Sequence, residues 1–446
     1  MLLRLAVLLS FALASLAGRV YAQDSTAGHL PARWNLQTCI DYARKNNITL
    51  NGLRLNVLTA EQNYLLARAA RQPNLIGNVS GTYTHSTNAN PVIGGFQTQS
   101  SLANNYSVSS GITIYNGDAI TNNIKLANLQ IQTSNQTVIE DELDITLQIV
   151  QDYLNILLAK ENVVYIEDLV KSTTAQVDQG KQEYDVGTIA RNAYIELVAQ
   201  LAADKYTLVT AQNAVRQNKL TLKQLLQLPL RDTFDIITPD TVIATQAVPN
   251  LDSVEAFALQ NRPEIKLGEL GIDISRYNLA IAKAGYLPLL SASATLSTGW
   301  SNNQHDNYVQ QLDENFFQQA GLNLSIPIFN KRQVKTSVEN ARIQIEQSKL
   351  TLLGNQTLLS QTIEQAYINV LNAQGQYDAA VEELTANQEA FRVAAEELKV
   401  GASNLVAYLQ QKTLYTQAFE NYVQAKYNSA LSIEIYDFYM GIAVKL

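Results

Sequence analysis

Two kinds of hydrophobic periodicity divide the chain. Strict alternation of apolar with small polar side chains marks four segments, and a two-residue period predicts β-strands. These segments lie near residues 75–83, 108–114, 290–296 and 322–328. After each pair of segments, apolar residues recur at three- and four-residue steps, which is typical of coiled-coil helices. The pattern therefore predicts two β-hairpins, each followed by long helices.

Proline placement sets how far those helices can run. The sequence has no proline between Pro91 and Pro229 and none after Pro327, so no proline breaks the helical segments. Apolar residues on the predicted seams are Leu143, Leu147, Val150, Leu154 and Leu157, and later Ala366, Val370, Ala373, Tyr377, Ala380 and Leu384. The segment from Ala119 to Gln182 would be about 95 Å long at about 1.5 Å per residue.

The second half of the chain matches the first at a nearly constant offset, which indicates an internal repeat. Pro73 corresponds to Pro288, and Ile114 corresponds to Ile328. We predict a signal segment (1–22), a first repeat (23–230, with a hairpin at about 74–116 and long helices at about 117–228), a proline-containing linker (231–250) and a second repeat (251–446, with a hairpin at about 289–329 and long helices at about 331–440).

The predicted signal segment changes where the protein is expected to work. Arg4 precedes an apolar run that ends near Leu16, and Ala22 is the expected cleavage point. No later segment has the roughly 18 uninterrupted apolar residues of a membrane-spanning helix. Export without such a helix leaves the periplasm, the exterior or the outer membrane.

Charge and side-chain chemistry exclude several function classes. The formal net charge is −8 and no basic stripe occurs, so a nucleic-acid partner is not expected. The single cysteine, Cys39, is expected to be a buried apolar residue. The three histidines have no metal-ligand spacing, and no phosphate loop or nucleophile motif is found. We therefore expect no catalytic residue, no cofactor and no metal site.

The four predicted strands carry apolar side chains on one face and small polar side chains on the other, as strands of a membrane barrel do. Aromatic residues near the strand ends would form an interfacial girdle: Tyr83, Tyr106, Trp300, Phe316 and Phe317. Residues 86–104 and 299–315 are predicted to be exterior hairpin loops. Four strands cannot close a barrel, so copies must share one. Three copies are favoured, although two or four would also satisfy the geometry, and a half-buried soluble sheet is the alternative.

Three motifs resemble the TolC-like outer-membrane factor family. They are the opening segment 34–47, the turn Tyr184-Asp185-Val186-Gly187-Thr188 and the turn Leu398-Lys399-Val400-Gly401-Ala402. The resemblance covers nearly all of residues 34–440. It implies an α+β membrane protein, a homotrimer with a shared twelve-stranded β-barrel in the outer membrane and a helical barrel in the periplasm. It also implies a periplasmic adaptor (membrane fusion) protein and an inner-membrane pump of the resistance-nodulation-division, ABC or major facilitator type.

The resemblance also suggests functional positions. The tip turns would dock the adaptor through Val186, Gly187, Thr188, Val400, Gly401 and Ala402, and candidates for a pore constriction are Tyr184, Glu196 and Gln410. Some family members carry an arginine and two aspartates beyond the second tip glycine. Here the corresponding residues are Ser403, Ala407 and Gln410, so that gating chemistry is not transferred.

These observations favour an outer-membrane exit channel for efflux or type I secretion. The alternative is a periplasmic coiled-coil adaptor or a structural surface protein. Adaptors have one helical hairpin and soluble β domains, so the four amphipathic strands and two helical hairpins argue against that alternative.

Overall fold

The structure is a computed structural model that describes residues 31, 33–90, 94–229, 231, 233–239 and 241–442. The predicted signal segment lies outside these residues. The first half contains β1 (Arg33–Trp34), α1 (Leu36–Asn46), α2 (Ile48–Ala69), β2 (Ile76–Asn90), β3 (Gly95–Tyr115), α3 (Ala119–Asp185) and α4 (Arg191–Leu225).

The second half has nearly the same order of elements. It contains β4 (Asp235–Ile236), α5 (Leu251–Asn261), α6 (Pro263–Ala284), β5 (Leu289–Ser301), α7 (Tyr308–Glu314), β6 (Phe317–Ser325), α8 (Gln333–Lys399) and α9 (Leu405–Tyr439). The lengths also correspond: α3 and α8 have 67 residues each, and α4 and α9 have 35 each. At about 1.5 Å per residue, α3 and α8 are each about 100 Å long.

Local chemistry sets the break between the two short helices of each half. Asn47 ends α1 and caps α2, because its side-chain oxygen accepts from the backbone N–H groups of Thr49 at 2.8 Å and Leu50 at 3.2 Å. In the second half Pro263 occupies the start of α6. Proline suits a first helical position because it has no N–H to satisfy there. The break between the two short helices is therefore set by a different residue type in each half.

The predicted helical seams are confirmed. Of these residues, Val150, Leu154, Leu157, Ala366, Val370, Ala373 and Ala380 are buried and the other four are partly buried.

Near the linker, β1 pairs with β4 in parallel, and both strands pack into a hydrophobic core that joins α1, α3, α4 and α9. Cys39 is fully buried in that core, and burial raises the pKa of its thiol to about 12. In the described part of the chain, no helix combines the length and the apolar character needed to cross a membrane.

The hairpins form one antiparallel sheet in the order β2-β3-β5-β6. Its register aligns apolar residues across all four strands, as in the pairs Val79↔Tyr106, Val108↔Leu296 and Ala292↔Leu322. The opposite face carries the pairs Asn78↔Ser107, Ser107↔Ser297 and Ser291↔Asn323. Because paired residues lie on the same face, the sheet has one apolar and one small-polar surface.

The predicted loop at residues 86–104 is wrong, because β2 and β3 stay paired from Ile76↔Ser109 to Asn90↔Gly95. The outer part of this hairpin, from residue 84 to residue 101, is called here the β2–β3 extension. It is held by backbone hydrogen bonds and by cross-strand polar pairs, such as the hydroxyls of Thr87 and Thr98 at 2.9 Å. Both of its faces carry polar pairs, such as Thr87↔Thr98 and Ser86↔Gln99, so no apolar alternation marks it. The predicted loop at 299–315 also begins inside β5 and contains the helix α7.

Candidate functional site at the helix tips

Each long helical hairpin turns at a glycine in the left-handed region. Gly187 has φ +82° and Gly401 has φ +74°, which only glycine adopts at little cost. The N–H of Thr188 donates to the Glu183 carbonyl at 2.8 Å, and the N–H of Ala402 donates to the Glu397 carbonyl at 2.8 Å. These bonds, with the shorter bonds from the glycine N–H groups, form a Schellman motif at both tips. The predicted tip turns are therefore confirmed as chain reversals.

Each tip exposes one valine immediately before its glycine. Val186 is 75% exposed and Val400 is 74% exposed. Removing exposed apolar surface from water favours protein–protein association. The two predicted docking turns thus present equivalent apolar contacts, although they belong to different hairpins.

The first tip is narrow because its two helices approach closely. A Cβ added to Gly180 would lie 2.6 Å from Cδ1 of Leu197, so only glycine fits there without a shift. Nearer the turn, the rings of Tyr184 and Tyr194 stack at 5.6 Å with an interplanar angle of 7°. Tyr184 therefore braces α3 against α4.

The other two constriction candidates are surface residues of the single chain. Glu196 and Gln410 are both exposed. Among the described residues, no hydrogen bond, ion pair or ring contact joins Tyr184, Glu196 and Gln410. One chain therefore does not bring these residues together, and a constriction would need equivalent residues from other copies.

A buried polar cluster lies further along the hairpins and was not predicted. The Lys412 ammonium donates to Asp204 Oδ2 at 2.8 Å and to Thr173 Oγ1 at 2.6 Å, and the Thr173 hydroxyl donates to Asp204 Oδ2 at 2.5 Å. The Lys412 and Asp204 side chains are only 3% and 6% exposed. Gln200 donates to the other Asp204 oxygen at 2.7 Å. The cluster joins α9 of the second half to α3 and α4 of the first.

An aromatic contact lies beside this cluster. The Gln176 side-chain amide donates to the Tyr408 hydroxyl, and the Tyr408 ring packs on Phe391 at 5.4 Å. Burial raises the pKa of Tyr408. The sequence contained one signal of this region, since Asp204 interrupts the apolar steps of α4. Its partner Lys412 is 208 residues away, so local periodicity could not pair them.

The comparisons with known proteins agree with this geometry. A model of the outer membrane efflux protein family matches residues 39–227 and 257–434. The chain belongs to the outer membrane efflux protein family. The predicted resemblance and the outer-membrane location are thereby confirmed, and the alternatives of a periplasmic adaptor or a surface structural protein are not supported.

Individual relatives are distant but cover most of the chain. The outer membrane efflux protein BepC of Brucella suis biovar 1 is 23% identical over 361 residues, which cover 80% of this chain and 75% of BepC. TolC of Escherichia coli is 24% identical over 326 residues, which cover 70% of this chain and 63% of TolC.

Solved structures show the same fold. CusC superposes with a TM-score of 0.76 at 17% identity and covers 90% of this chain and 91% of its own chain. VceC of Vibrio cholerae superposes with a TM-score of 0.76 at 14% identity and covers 91% and 96%.

Proposed function

We propose that this protein is the outer-membrane exit channel of a tripartite efflux pump or a type I secretion system, and that it conducts substrates passively from the periplasm to the exterior. The observation that carries this proposal is one sheet with an apolar and a small-polar face, continuous with two helices, α3 and α8, that are each about 100 Å long. The apolar face suits lipid, and the polar face suits a wet lumen. Passive conduction requires no catalytic residue.

The channel is a homotrimer with a shared barrel. Within one chain, β2 and β6 are the outer strands of the four-stranded sheet. Unpaired strand edges are not tolerated in lipid, so β2 of one copy pairs with β6 of the next. Three copies supply twelve strands, which is enough to enclose an aqueous lumen.

The tips dock a periplasmic adaptor, which connects the channel to an inner-membrane pump. The exposed Val186 and Val400 beside the rigid Gly187 and Gly401 turns support this assignment. Relatives named for their cargo include the proteases secretion protein PrtF of Dickeya chrysanthemi and the pyoverdine export protein OpmQ of Pseudomonas aeruginosa. These names cover polypeptide and small-molecule cargo, so we assign the choice of substrate to the pump.

Docking can be tested by site-specific photo-cross-linking in intact cells. A photoreactive amino acid at Val186 or Val400 should give an adduct with a periplasmic adaptor, identified by mass spectrometry. The same amino acid at Val309, at the opposite end of the molecule, is the control. An adaptor adduct from Val309 and none from either tip would contradict the docking assignment.

A ring of Glu196 side chains at the periplasmic entrance would favour cations, because three carboxylates in a narrow pore attract positive charge. Purified protein in planar bilayers should conduct ions, and Glu196→Gln should lower its cation selectivity. Asp252→Asn, a remote exposed carboxylate, should not change selectivity. Absence of any conductance would argue against the channel itself. Unchanged selectivity in Glu196→Gln would argue only against Glu196 as a constriction residue.

A further inference from the structure

The short helix α7, between β5 and β6, is a fixed part of the structure. Asn307 caps it by accepting from the Gln310 N–H at 3.0 Å. The ladder with β6 ends at Ser297↔Phe317, which leaves the last residues of β5 without a strand partner on that side. Gln311 and Asn315 take over this role: Ser301 N–H donates to Gln311 Oε1 at 2.8 Å, and the Asn315 amide donates to the Gly299 carbonyl at 2.9 Å.

Further contacts join α7 to side chains on the apolar face of the sheet. The Tyr308 and Tyr106 hydroxyls are 2.8 Å apart, and the Tyr308 ring lies 5.9 Å from the Trp300 ring. The Thr298 hydroxyl donates to the Leu312 carbonyl at 2.6 Å. Tyr106, Thr298 and Trp300 have the same strand parity as Val108 and Leu296. The helix therefore lies on the lipid-facing side of the sheet and not on the small-polar side.

The level of α7 coincides with a change from apolar to polar residues on this face. Outward from Tyr83↔Leu102, the next two β2–β3 pairs, His85↔Ser100 and Thr87↔Thr98, are polar, and Ala89↔Phe96 follows near the hairpin tip. The β3–β5 ladder ends one residue from this point, at Ala103↔Ser301. Beyond it the described residues of the β2–β3 extension are mostly polar, with Ala89 and Phe96 as the exceptions. This change from apolar to polar residues is expected at the boundary between acyl chains and headgroups.

The outward surface of α7 is amphipathic. Val309 is 74% exposed, and Tyr308 and the nearby Phe316 are also exposed. Gln310, Asp313 and Glu314 are exposed polar residues of the same helix. Apolar and aromatic side chains beside charged ones suit a helix that lies in the plane of a membrane interface. The apolar part continues the lipid-facing surface of the sheet.

We propose that α7 is an interfacial anchor that binds outer-leaflet lipid at the acyl-chain and headgroup boundary and fixes the depth of the barrel. Tyr106, Trp300 and Tyr308 form its rigid base, and Val309 contacts the lipid. The inference rests on the proposed membrane barrel. It extends that proposal, because a channel could conduct with this segment in water or folded over the pore.

Single-tryptophan variants can test this placement. The chain has two tryptophans, and Trp34→Phe with Trp300→Phe gives a background without tryptophan that keeps an aromatic ring at position 300 of the α7 base. Val309→Trp then reports on α7, and Asn303→Trp on the preceding loop is the matched control. The proteins are reconstituted into phosphatidylcholine vesicles whose acyl chains carry bromine either near the headgroup or near the methyl end. Iodide is the aqueous quencher.

We expect Val309→Trp to be quenched several-fold more strongly by the shallow bromine than Asn303→Trp, and only weakly by iodide. Strong iodide quenching without bromine quenching would place α7 in the lumen or above the membrane and would overturn the inference. Resistance to both quenchers would mean that protein covers α7, which also overturns it. Conductance of the same preparations separates the proposals: bromine quenching without conductance would leave the anchor intact and count against the channel.

Discussion

Lys412 is the residue whose environment departs most from its usual one. Among the described residues it is the only buried basic side chain, and its partner Asp204 is buried as well. Two charges lose their hydration in such a site, so the pair contributes little net stability compared with apolar residues of similar size. Removing only one partner is different, because a charge is then left buried without compensation.

Lys412→Met should therefore lower the free energy of unfolding by about 3–5 kcal/mol. The double variant Lys412→Met with Asp204→Leu should recover most of this loss, since no uncompensated charge remains. Denaturant unfolding of the detergent-solubilised protein, read as a double-mutant cycle, gives both values. Similar losses in the single and double variants would show that packing, and not charge pairing, dominates at this site.

The tip glycines allow a second prediction at the residue scale. Gly401→Ala places a Cβ at φ +74°, which costs about 1–2 kcal/mol in the left-handed region. Because the strain is local, hydrogen exchange should become faster in the last turn of α8. Gly375→Ala, inside α8 with no atom within 4 Å of the added Cβ, should instead stabilise the helix by about 1 kcal/mol. Equal protection at the tip in wild type and Gly401→Ala would argue against the strained turn.

At the scale of elements, hydrophobic periodicity predicted the helices and strands that have one apolar face. It missed the elements that have no such face. The seam residues of α3 and α8 pack against protein, and the inner part of each β-hairpin has one apolar face. Both arrangements impose a regular pattern on the sequence. The outer part of β2–β3 has polar residues on both faces and so carries no such pattern. α7 is seven residues long, which is too short for helical periodicity to be recognised. The tip turns were predictable because glycine is required there, whereas the Lys412–Asp204 contact depends on how the two halves pack.

The strand β4 is held to α3 and α4 by two ion pairs of Asp235 that depend on pH. Asp235 accepts from Lys160 and Lys219, at 2.8 Å each. Burial raises the pKa of this carboxyl, but the two lysines outweigh burial and lower it to about 2. A depressed folded-state pKa adds stability above the unfolded value of about 3.9, and this stability is lost as the pH falls towards 2. Asp235 is 37% exposed, so solvent screening limits the effect to about 1 kcal/mol.

Asp235→Asn should remove this part of the acid sensitivity. Unfolding temperatures measured between about pH 5 and pH 2 should fall less steeply in the variant than in wild type. Asp168→Asn is the control, because its pair with Lys171 is highly exposed. A steeper fall in Asp235→Asn would reverse the assigned sign.

For the whole molecule, the proposed trimer depends on the free edges of β2 and β6. The sheet order places β3 and β5 between these two strands, so a β2–β6 contact cannot form within one chain without breaking the sheet. The polar face offers positions for cysteine pairs, with Ser80 on β2 and Gln319, Gly321 and Asn323 on β6. A Cys39→Ala background removes the only native thiol.

Ser80→Cys combined with one cysteine on β6 should form disulfides only between copies, because the proposed shared barrel pairs the edge strands of neighbouring subunits. At the correct register, non-reducing gels should show linked dimers and trimers but no larger species, since a closed ring of three has no further edge. Native mass measurement in mild detergent should give three copies. The matched control pairs Ser80→Cys with Asn105→Cys on the adjacent β3, which should link within one chain. Ladders beyond three would indicate a larger or open assembly, and a stable folded monomer would contradict the shared barrel.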